Sequence, residues 1–408
     1  MNNANYYNKI GIIGGGQLGK MMILEAKRLG FYTAILDPYE KCPAHSIADM
    51  HIVADFDDYE ALNTLAGQCQ VITYEFEHIH ADALIEINAS TPVYPSPDAL
   101  KVIQNKYDQK TALKKSGLPV PVFRLVSSVD DIVVAGEEFG FPLVLKTCTG
   151  GYDGKGNAFI KDVSCARQGF KALGEAETPL MVEQFIDFTM EISVVACRGI
   201  NGETVLYPTC KNIHKDSILD MTLAPAPITP ETSELARGVA RKVMEAFEGV
   251  GIFCVEFFVL RDGSVMVNEV APRPHNSGHY TIEACVTNQF ENHIRTIAGL
   301  PPGKTDLLQN AVMCNILGEC GYGGKAIVSG LYDTLMIPGA KVHIYGKEYT
   351  APKRKMGHIT VTAEDSDTAL KNAIEARGRI KVIGEEVLEA TSENLKIKAC
   401  DRDKSGVY

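Results

Sequence analysis

The run VEFFVLRDGSVMVNEV, residues 255 to 270, carries two glutamates on strand-like segments separated by Asp262-Gly263. Asp-Gly is a favoured two-residue turn between antiparallel strands. With those two residues as the loop, Glu256 lies directly opposite Glu269, and Cys254, Phe258, Leu260, Val265 and Val267 share their face. Two carboxylates side by side on an apolar face repel each other. A divalent cation removes the conflict, and Mg²⁺ takes oxygen ligands with phosphates completing its shell. The alternatives are an arginine partner for one glutamate, or another register.

A second candidate is LKTCTGGYDGKGNAF, in which Lys146 ends a strand and a glycine-rich turn leads into the next. Glycines let backbone N–H groups wrap phosphate oxygens, and lysines add charge. The spacing is not that of a P-loop, which needs Gly-Lys-Ser/Thr opening a helix. Without a ligand the same turn reads as a flexible hairpin loop. In NEVAPRPHNSGH, Arg273, His275, Asn276, Ser277 and His279 crowd into seven residues. Arginine brings a two-pronged donor, and Ser and Asn add neutral ones, as an anion site needs; a structural turn is the competing reading. Lys353, Arg354 and Lys355 form a basic run that would otherwise be a solvated face. Near the start, Gly14-x-Gly16-x-x-Gly19 follows an apolar run, and Asp37 ends the next one, close to a dinucleotide-binding fingerprint. MVEQFI with Glu183, and Glu191, His214 and Lys106, carry no signal individually.

The elements that must position these groups read as follows. Residues 10 to about 100 alternate short apolar runs with helical patterns, which implies a parallel, doubly wound sheet. PVYPSPDAL is a proline-rich break. From Asn105 onward the pattern becomes a mixed, largely antiparallel sheet with helices such as NKYDQKTALKKSG and SELARGVARKVMEAFE. After about residue 300, further strands and the helix SDTALKNAIEARGRI suggest a small third domain.

The chain has 408 residues, 45% hydrophobic and 22% charged, with a net charge of −11. These values fit a globular protein with substantial cores. The acidic balance and the lack of a basic patch argue against nucleic acid as a partner. Eleven cysteines without a C-x-x-C pair argue for a reducing cytoplasm over a disulfide framework. No apolar run approaches a membrane span, and the first residues lack a signal layout.

Taken in order along the chain, the motifs resemble the ATP-grasp superfamily. A lysine (Lys106) precedes a helix, a strand-end lysine (Lys146) precedes a glycine-rich lid, EQFI looks like an adenine hinge, Glu191 like a ribose ligand, and Glu256 and Glu269 like magnesium carboxylates. Within it, GGGQLGKM, TYEFEHI, GGYDGKG, NEVAPRPHNSGH and RKMGH are similar to the 5-(carboxyamino)imidazole ribonucleotide synthases of purine biosynthesis. Asn157 stands where that family often has glutamine. The resemblance implies α/β and α+β structure: an ATP-grasp fold with an N-terminal Rossmann-like parallel-sheet domain over 1–104, the ATP-grasp domain with its lid over 105–300, and a small C-terminal domain over 301–408.

It also implies a reaction. ATP and bicarbonate yield carboxyphosphate and ADP, and the one-carbon unit passes to the exocyclic amine of 5-aminoimidazole ribonucleotide with release of phosphate. ATP and Mg²⁺ are the implied cofactors. The implied ATP contacts are Lys106, Lys146, Gly151, Tyr152, Asp153, Gly154, Lys155, Gly156, Asn157, Glu183, Gln184, Phe185, Ile186, Glu191, His214, Asn268 and Glu269, with metal on Glu256 and Glu269. The implied substrate contacts are Gln17, Leu18, Glu77, Asp153, Arg273, His275, Ser277, Arg354 and Lys355, of which Asp153, Arg273 and Lys355 take part in catalysis. A cytoplasmic homodimer acting on small molecules, with no nucleic acid and no membrane, completes the expectation. Formate-dependent glycinamide ribonucleotide formyltransferase, or another ATP-grasp ligase, is the alternative within the superfamily. An NAD-dependent oxidoreductase, favoured by the first glycine loop, and a non-catalytic nucleotide sensor compete from outside it.

Overall fold

The computed structural model describes residues 6–151, 156–175 and 177–387. The N-terminal strands β1 (Lys9–Ile13), β2 (Tyr32–Leu36), β3 (Met50–Ile52) and β4 (Val71–Tyr74) form a parallel sheet in the order β3-β2-β1-β4. Their near-continuous apolar runs follow from this, because helices cover both faces of such a sheet. Val71–Tyr74 is buried throughout, and β1 is buried at all but Lys9. The proline-rich segment is only partly a break: Val93 bridges to Ile72, and Pro97 opens the helix Pro97–Ile103, capped by Ser96. Proline suits that first helical turn, where its missing N–H costs nothing.

Next come β5 (Phe123–Val126), β6 (Leu143–Thr147), β7 (Asn157–Ile160) and β8 (Leu180–Gln184), an antiparallel sheet in the order β5-β8-β6-β7. The glycine-rich turn joins β6 to β7, with Lys146 opposite Asn157. The remaining strands are β9 (Met190–Arg198), β10 (Thr204–Leu206), β11 (Cys210–Lys215), β12 (Ile218–Ala224), β13 (Gly251–Val259), β14 (Val265–Ala271), β15 (Asn310–Leu317), β16 (Tyr322–Ser329), β17 (Ala340–Ile344), β18 (Tyr349–Thr350), β19 (Lys355–Ala363) and β20 (Lys381–Val387). Nine of them make one sheet in the order β14-β13-β9-β11-β12-β15-β19-β17, with β10 beside β9; β18, β16 and β20 make a small one. The large sheet therefore runs across residue 300, where β12 pairs with β15.

The cores also cross between regions. Ile10, Met22 and Ile23 pack in one cluster with Phe290, Ile294 and Ile297 of the helix Gln289–Ile297. Thr73 Oγ1 meets His293 Nε2 at 2.8 Å, and Asn288 donates to Glu25 at 2.7 Å. The helix Pro230–Ala246 covers one face of the large sheet through Ala236, Val239, Ala240 and Val243. No helix among the described residues is long and apolar enough to cross a membrane, and every described cysteine is free.

The hairpin that carries the two glutamates differs from the two-residue reading. Val259 pairs with Val265, and Gly263, at φ +83°, donates to the Leu260 carbonyl at 3.0 Å, so the loop holds three residues, Arg261 to Gly263. A loop of that length alone would shift the register by one. The shift is cancelled at Asn268, an extra residue in β14 that forms a β-bulge, and Glu256 does pair with Glu269. The bulge also corrects the face assignment. Val265 and Val267 point with Phe257 and Val259 into the core under the sheet, on the side away from the glutamates, and Cys254 packs in another apolar cluster.

Candidate active site

A cleft of about 1520 Å³ lies where the three main sheets meet. One wall is the β8 exit, Glu183, Gln184, Phe185 and Ile186; the floor is Glu256, Phe258, Asn268 and Glu269; the far end holds Gln17, Leu18, Glu77, Arg273, His275 and Lys355. Lys106, Lys146, Gly151, Asn157, Glu191 and His214 line it as well. Tyr152, Asp153, Gly154 and Lys155 lie outside the described residues. Gly156, at φ +86°, accepts from Thr147 N–H through its carbonyl at 2.9 Å and closes the base of the turn.

At the floor, Lys106 Nζ sits 2.7 Å from Glu269 Oε1. Burial works to raise the Glu269 pKa, but the Lys106 charge outweighs it and holds this carboxylate below the usual range. Its neighbour behaves oppositely. Burial first, then the Glu269 charge, pushes Glu256 up to about 7. The split follows from Lys106 neutralising one of two mutually repelling carboxylates and leaving the other to burial and its neighbour's charge. Among the described residues no group of three or more His, Cys, Asp or Glu could hold a metal by itself. Two carboxylates whose mutual repulsion a cation would relieve, open to a cleft that can bring phosphate oxygens, fit Mg²⁺, which binds through few protein ligands.

Behind them is an ion cluster the sequence did not reveal. The Glu183 carboxylate, 3% exposed, receives Lys146 at 2.8 Å and Lys110 at 3.3 Å. Burial opposes its ionisation, yet the two lysines hold it down near 2. Lys110 is lowered to about 8, by burial and by Lys146, against the pull of Glu183. Two cations on one anion leave surplus positive charge at the cleft wall, suited to an incoming phosphate. Lys110 reads in the sequence as one more lysine on a polar helix, so only tertiary placement exposes it. Phe188 and Phe258, stacked with centroids 4.6 Å apart, are likewise new, and both line the cleft. On adjacent strands, His214 Nδ1 lies 2.6 Å from Glu191 Oε2. Burial lowers the His214 pKa, but Glu191 more than compensates and raises it.

At the far end, Arg273 Nε is 2.7 Å from Glu77 Oε1. Of the other expected contacts, Ser277 does not line the cleft. It is fully buried beneath His275, with its Oγ 2.9 Å from His275 Nδ1 and from Ser193 Oγ. Arg354 is exposed and donates to the Tyr349 carbonyl at 2.6 Å, while Lys353 and Lys355 line the cleft. Lys353 also meets Asp216 of the β11–β12 turn at 2.8 Å. Asn276 lines the cleft with its Nδ2 unpartnered among the described residues. Lys347 is held down near 8 by burial and then by Arg354, so a further lysine sits beside this end.

The first glycine loop is filled by the protein itself. Glu75 accepts from the Gly16 N–H at 2.5 Å and the Gly19 N–H at 2.8 Å, and Asp37 accepts from the Gly15 N–H at 2.8 Å. A Cβ on Gly14 would fall 2.4 Å from Glu75 Cγ, which is why the position is glycine at φ +103°. The N–H groups that would hold a pyrophosphate, and the acid that would hold a ribose, are thus both occupied. The dinucleotide reading fails on that ground.

Known proteins resemble the chain along most of its length. A family model for the ribonucleotide synthetase preATP-grasp domain matches residues 7–104, one for the ATP-grasp domain matches 111–290, and one for the phosphoribosylaminoimidazole carboxylase C-terminal domain matches 311–372. N5-carboxyaminoimidazole ribonucleotide synthase of Bacillus subtilis is 42% identical, over 88% of this chain and 92% of its own. Phosphoribosylaminoimidazole carboxylase of Schizosaccharomyces pombe is also 42% identical, and the chain spans 65% of its length. The crystal structure of N5-carboxyaminoimidazole ribonucleotide synthetase from Thermotoga maritima superposes with a TM-score of 0.85 at 45% identity, over 93% of this chain and 100% of that one. The enzyme from Aspergillus clavatus, solved with ADP and 5-aminoimidazole ribonucleotide, gives 0.83 at 35% identity over 91% and 99%.

Proposed function

The chain belongs to the N5-carboxyaminoimidazole ribonucleotide synthase family of ATP-grasp ligases, and from that premise we propose how its cleft works. ATP and bicarbonate give carboxyphosphate and ADP. The amine of 5-aminoimidazole ribonucleotide then takes the carboxyl group, and phosphate leaves. The carrying observation is one continuous cleft with opposed carboxylates and two lysines, Lys106 and Lys146, at one end, Lys110 buried behind them on Glu183, and Gln17, Glu77, Arg273 and His275 at the other. The formyltransferase alternative is not favoured, since the relatives above carry the carboxyaminoimidazole names. A non-catalytic sensor has no use for the second end of the cleft.

Lys106 and Lys146 exchange their carboxylate partners for phosphate oxygens when ATP enters. The chain at Glu183 to Ile186 offers backbone groups to adenine, and Glu191, oriented by His214, accepts from ribose hydroxyls. Glu256 and Glu269, with Asn268 beside them, would hold Mg²⁺, which neutralises charge on the transferring phosphoryl group. Arg273, fixed by Glu77, and Lys355 attract the one-carbon anion. Arg354 is assigned to the ribonucleotide phosphate, and Gln17 and Leu18 to its ring. Asp153 is assigned to accept a hydrogen bond or proton from the amine. Closing the turn at Gly151 to Asn157 excludes water from carboxyphosphate, which hydrolyses readily. A cytoplasmic homodimer without nucleic-acid or membrane partners is the accompanying proposal, testable by sedimentation. The central test is ADP release with ATP, bicarbonate or ribonucleotide omitted in turn. Turnover that ignores the ribonucleotide would overturn the substrate assignment.

A further inference from the structure

His279 and Gln289 have no place in the scheme above. Gln289 is fully buried at the first turn of the helix Gln289–Ile297 and clamps the loop that follows β14. Its Oε1 accepts from the His275 N–H at 2.9 Å, and its Nε2 donates to the His275 carbonyl at 2.8 Å. A backbone N–H can only donate, so the orientation of the amide is set. Nε2 then lies 3.1 Å from His279 Nδ1 and must donate to it. A neutral imidazole that accepts at Nδ1 carries its proton on Nε2. Gly278 must be glycine for this clamp, because a Cβ there would fall 2.4 Å from Gln289 Oε1.

His275 is set in the same sense. Its Nδ1 accepts from the Ser277 N–H at 3.3 Å, and a chain of donors from Asn212 through Ser193 and Ser277 ends on the same nitrogen. Both rings therefore present Nε2–H. His279 is 1% exposed and lines the cleft, and its Nε2 has no partner among the described residues, yet it is not among the sealed polar atoms. It is a buried donor whose one open edge is the cleft. The ring also packs on His358, with centroids 4.7 Å apart, and on Phe290 at 5.6 Å.

We propose that His279 is a further substrate-facing residue, donating Nε2–H to an oxygen of the small oxyanion that carries the one-carbon unit, and that Gln289 is the positioning residue that fixes its tautomer. The idea rests on the carboxylation reading, because that reaction brings bicarbonate and carboxyphosphate to this end of the cleft. A neutral donor suits the task. It polarises a carboxyl oxygen without offering an acidic proton to the amine that must attack, the way a neutral imidazole can serve as an electrophile. Burial, then the charges of His343, Lys355 and Arg273, keeps His279 unprotonated, down near 3.

The test uses the full-length protein. ¹⁵N-histidine NMR of the wild type is expected to show His279 protonated at Nε2 only and unchanged between about pH 6 and 8. An Nδ1–H ring, or titration in that window, overturns the inference. His279→Phe is expected to raise the bicarbonate KM ~10-fold or more, with the ATP KM little changed and partial recovery in His279→Gln, which keeps a donor. An unchanged bicarbonate KM overturns the inference, and a raised ribonucleotide KM instead moves the contact to the ribonucleotide phosphate and overturns it as stated. Should His279→Phe fail to fold, Gln289→Glu serves. Its carboxylate cannot donate to Nδ1, so the proton should move to Nδ1 and the bicarbonate KM rise; a merely structural Gln289 would lower the melting temperature and leave the tautomer alone. Failure of the carboxylation reading would be seen separately, as wild-type ADP release indifferent to bicarbonate and ribonucleotide.

Discussion

At the scale of single residues, the two floor glutamates hold the clearest energetic tension in the molecule. Glu256 is pushed from an ordinary value near 4.5 to about 7 by burial and by Glu269. A carboxyl whose folded pKa is raised is bound to its proton more tightly in the folded state, so its burden on stability is absent at low pH, grows as pH rises from about 4.5 to about 7, and is complete above that. Glu256→Gln should therefore stabilise the metal-free protein by on the order of 1–3 kcal/mol at pH 8, with the gain shrinking toward pH 5. Thermal melts in a chelator at the two pH values read this directly; equal melting temperatures at pH 8 would show that the carboxylates do not repel. The same substitution should lower Mg²⁺-dependent ADP release ~100-fold or more, so stability and activity move in opposite directions. For the same reason Mg²⁺ binding should release protons near neutral pH and weaken as pH falls below 7, which calorimetry in buffers of different ionisation enthalpy would show.

At the scale of elements, the hairpin shows how a sequence argument can reach the right pairing through the wrong turn. Asp262-Gly263 was legible as a turn signal, and Gly263 does take the left-handed conformation. What could not be read was that the loop takes three residues and that Asn268 bulges to absorb the difference, because nothing local distinguishes a bulge asparagine from a paired one. The bulge leaves Asn268 without a residue opposite it, next to Glu269, and both line the cleft. Deleting Asn268 should leave Val267 opposite Phe257 and Glu269 opposite Glu256. The variant is expected to fold and to keep Mg²⁺ dependence, with a raised KM for ATP. Loss of all Mg²⁺-dependent turnover in a folded variant would mean the bulge sets the carboxylate geometry as well. The basic run was legible as a unit, but its local backbone was not: Lys353 sits in a turn at φ +64° and Lys355 opens β19, both lining the cleft, while Arg354 between them is exposed. Glu75 and Lys110 were not legible at all, since a lone acid after a strand and a lysine on a polar helix look alike whether buried or solvated.

At the scale of the whole molecule, the three regions suggested by sequence texture are not independent bodies. β12 gives its edge to β15, and the helix Gln289–Ile297 completes the core beneath the N-terminal sheet. A chain ended at residue 300 would expose the β12 edge, including Met221 to Ala224, and uncover the apolar face that β15 and β19 close. Such an edge invites pairing with other chains. The truncated protein is expected to be insoluble or aggregated, checked by soluble yield and light scattering. A monodisperse fragment with native circular dichroism would show that the boundary near 300 separates true folding units. The cleft lies at this junction, so what holds the regions together also holds its two ends at a working distance.

Glu75 has a wider consequence. Its carboxylate on the Gly16 and Gly19 N–H groups amounts to a tethered ligand, present at an effective concentration no free cellular anion can match. The N-terminal unit thus keeps this anion receptor saturated, and uses the occupied receptor as a brace for Gln17 and Leu18. Cutting the tether should expose a receptor for external acids. Glu75→Ala is expected to raise the ribonucleotide KM, and millimolar formate or acetate should restore it in a saturable, dose-dependent way. A variant indifferent to both acids would mean that the brace is the strand end itself, and not the carboxylate it carries.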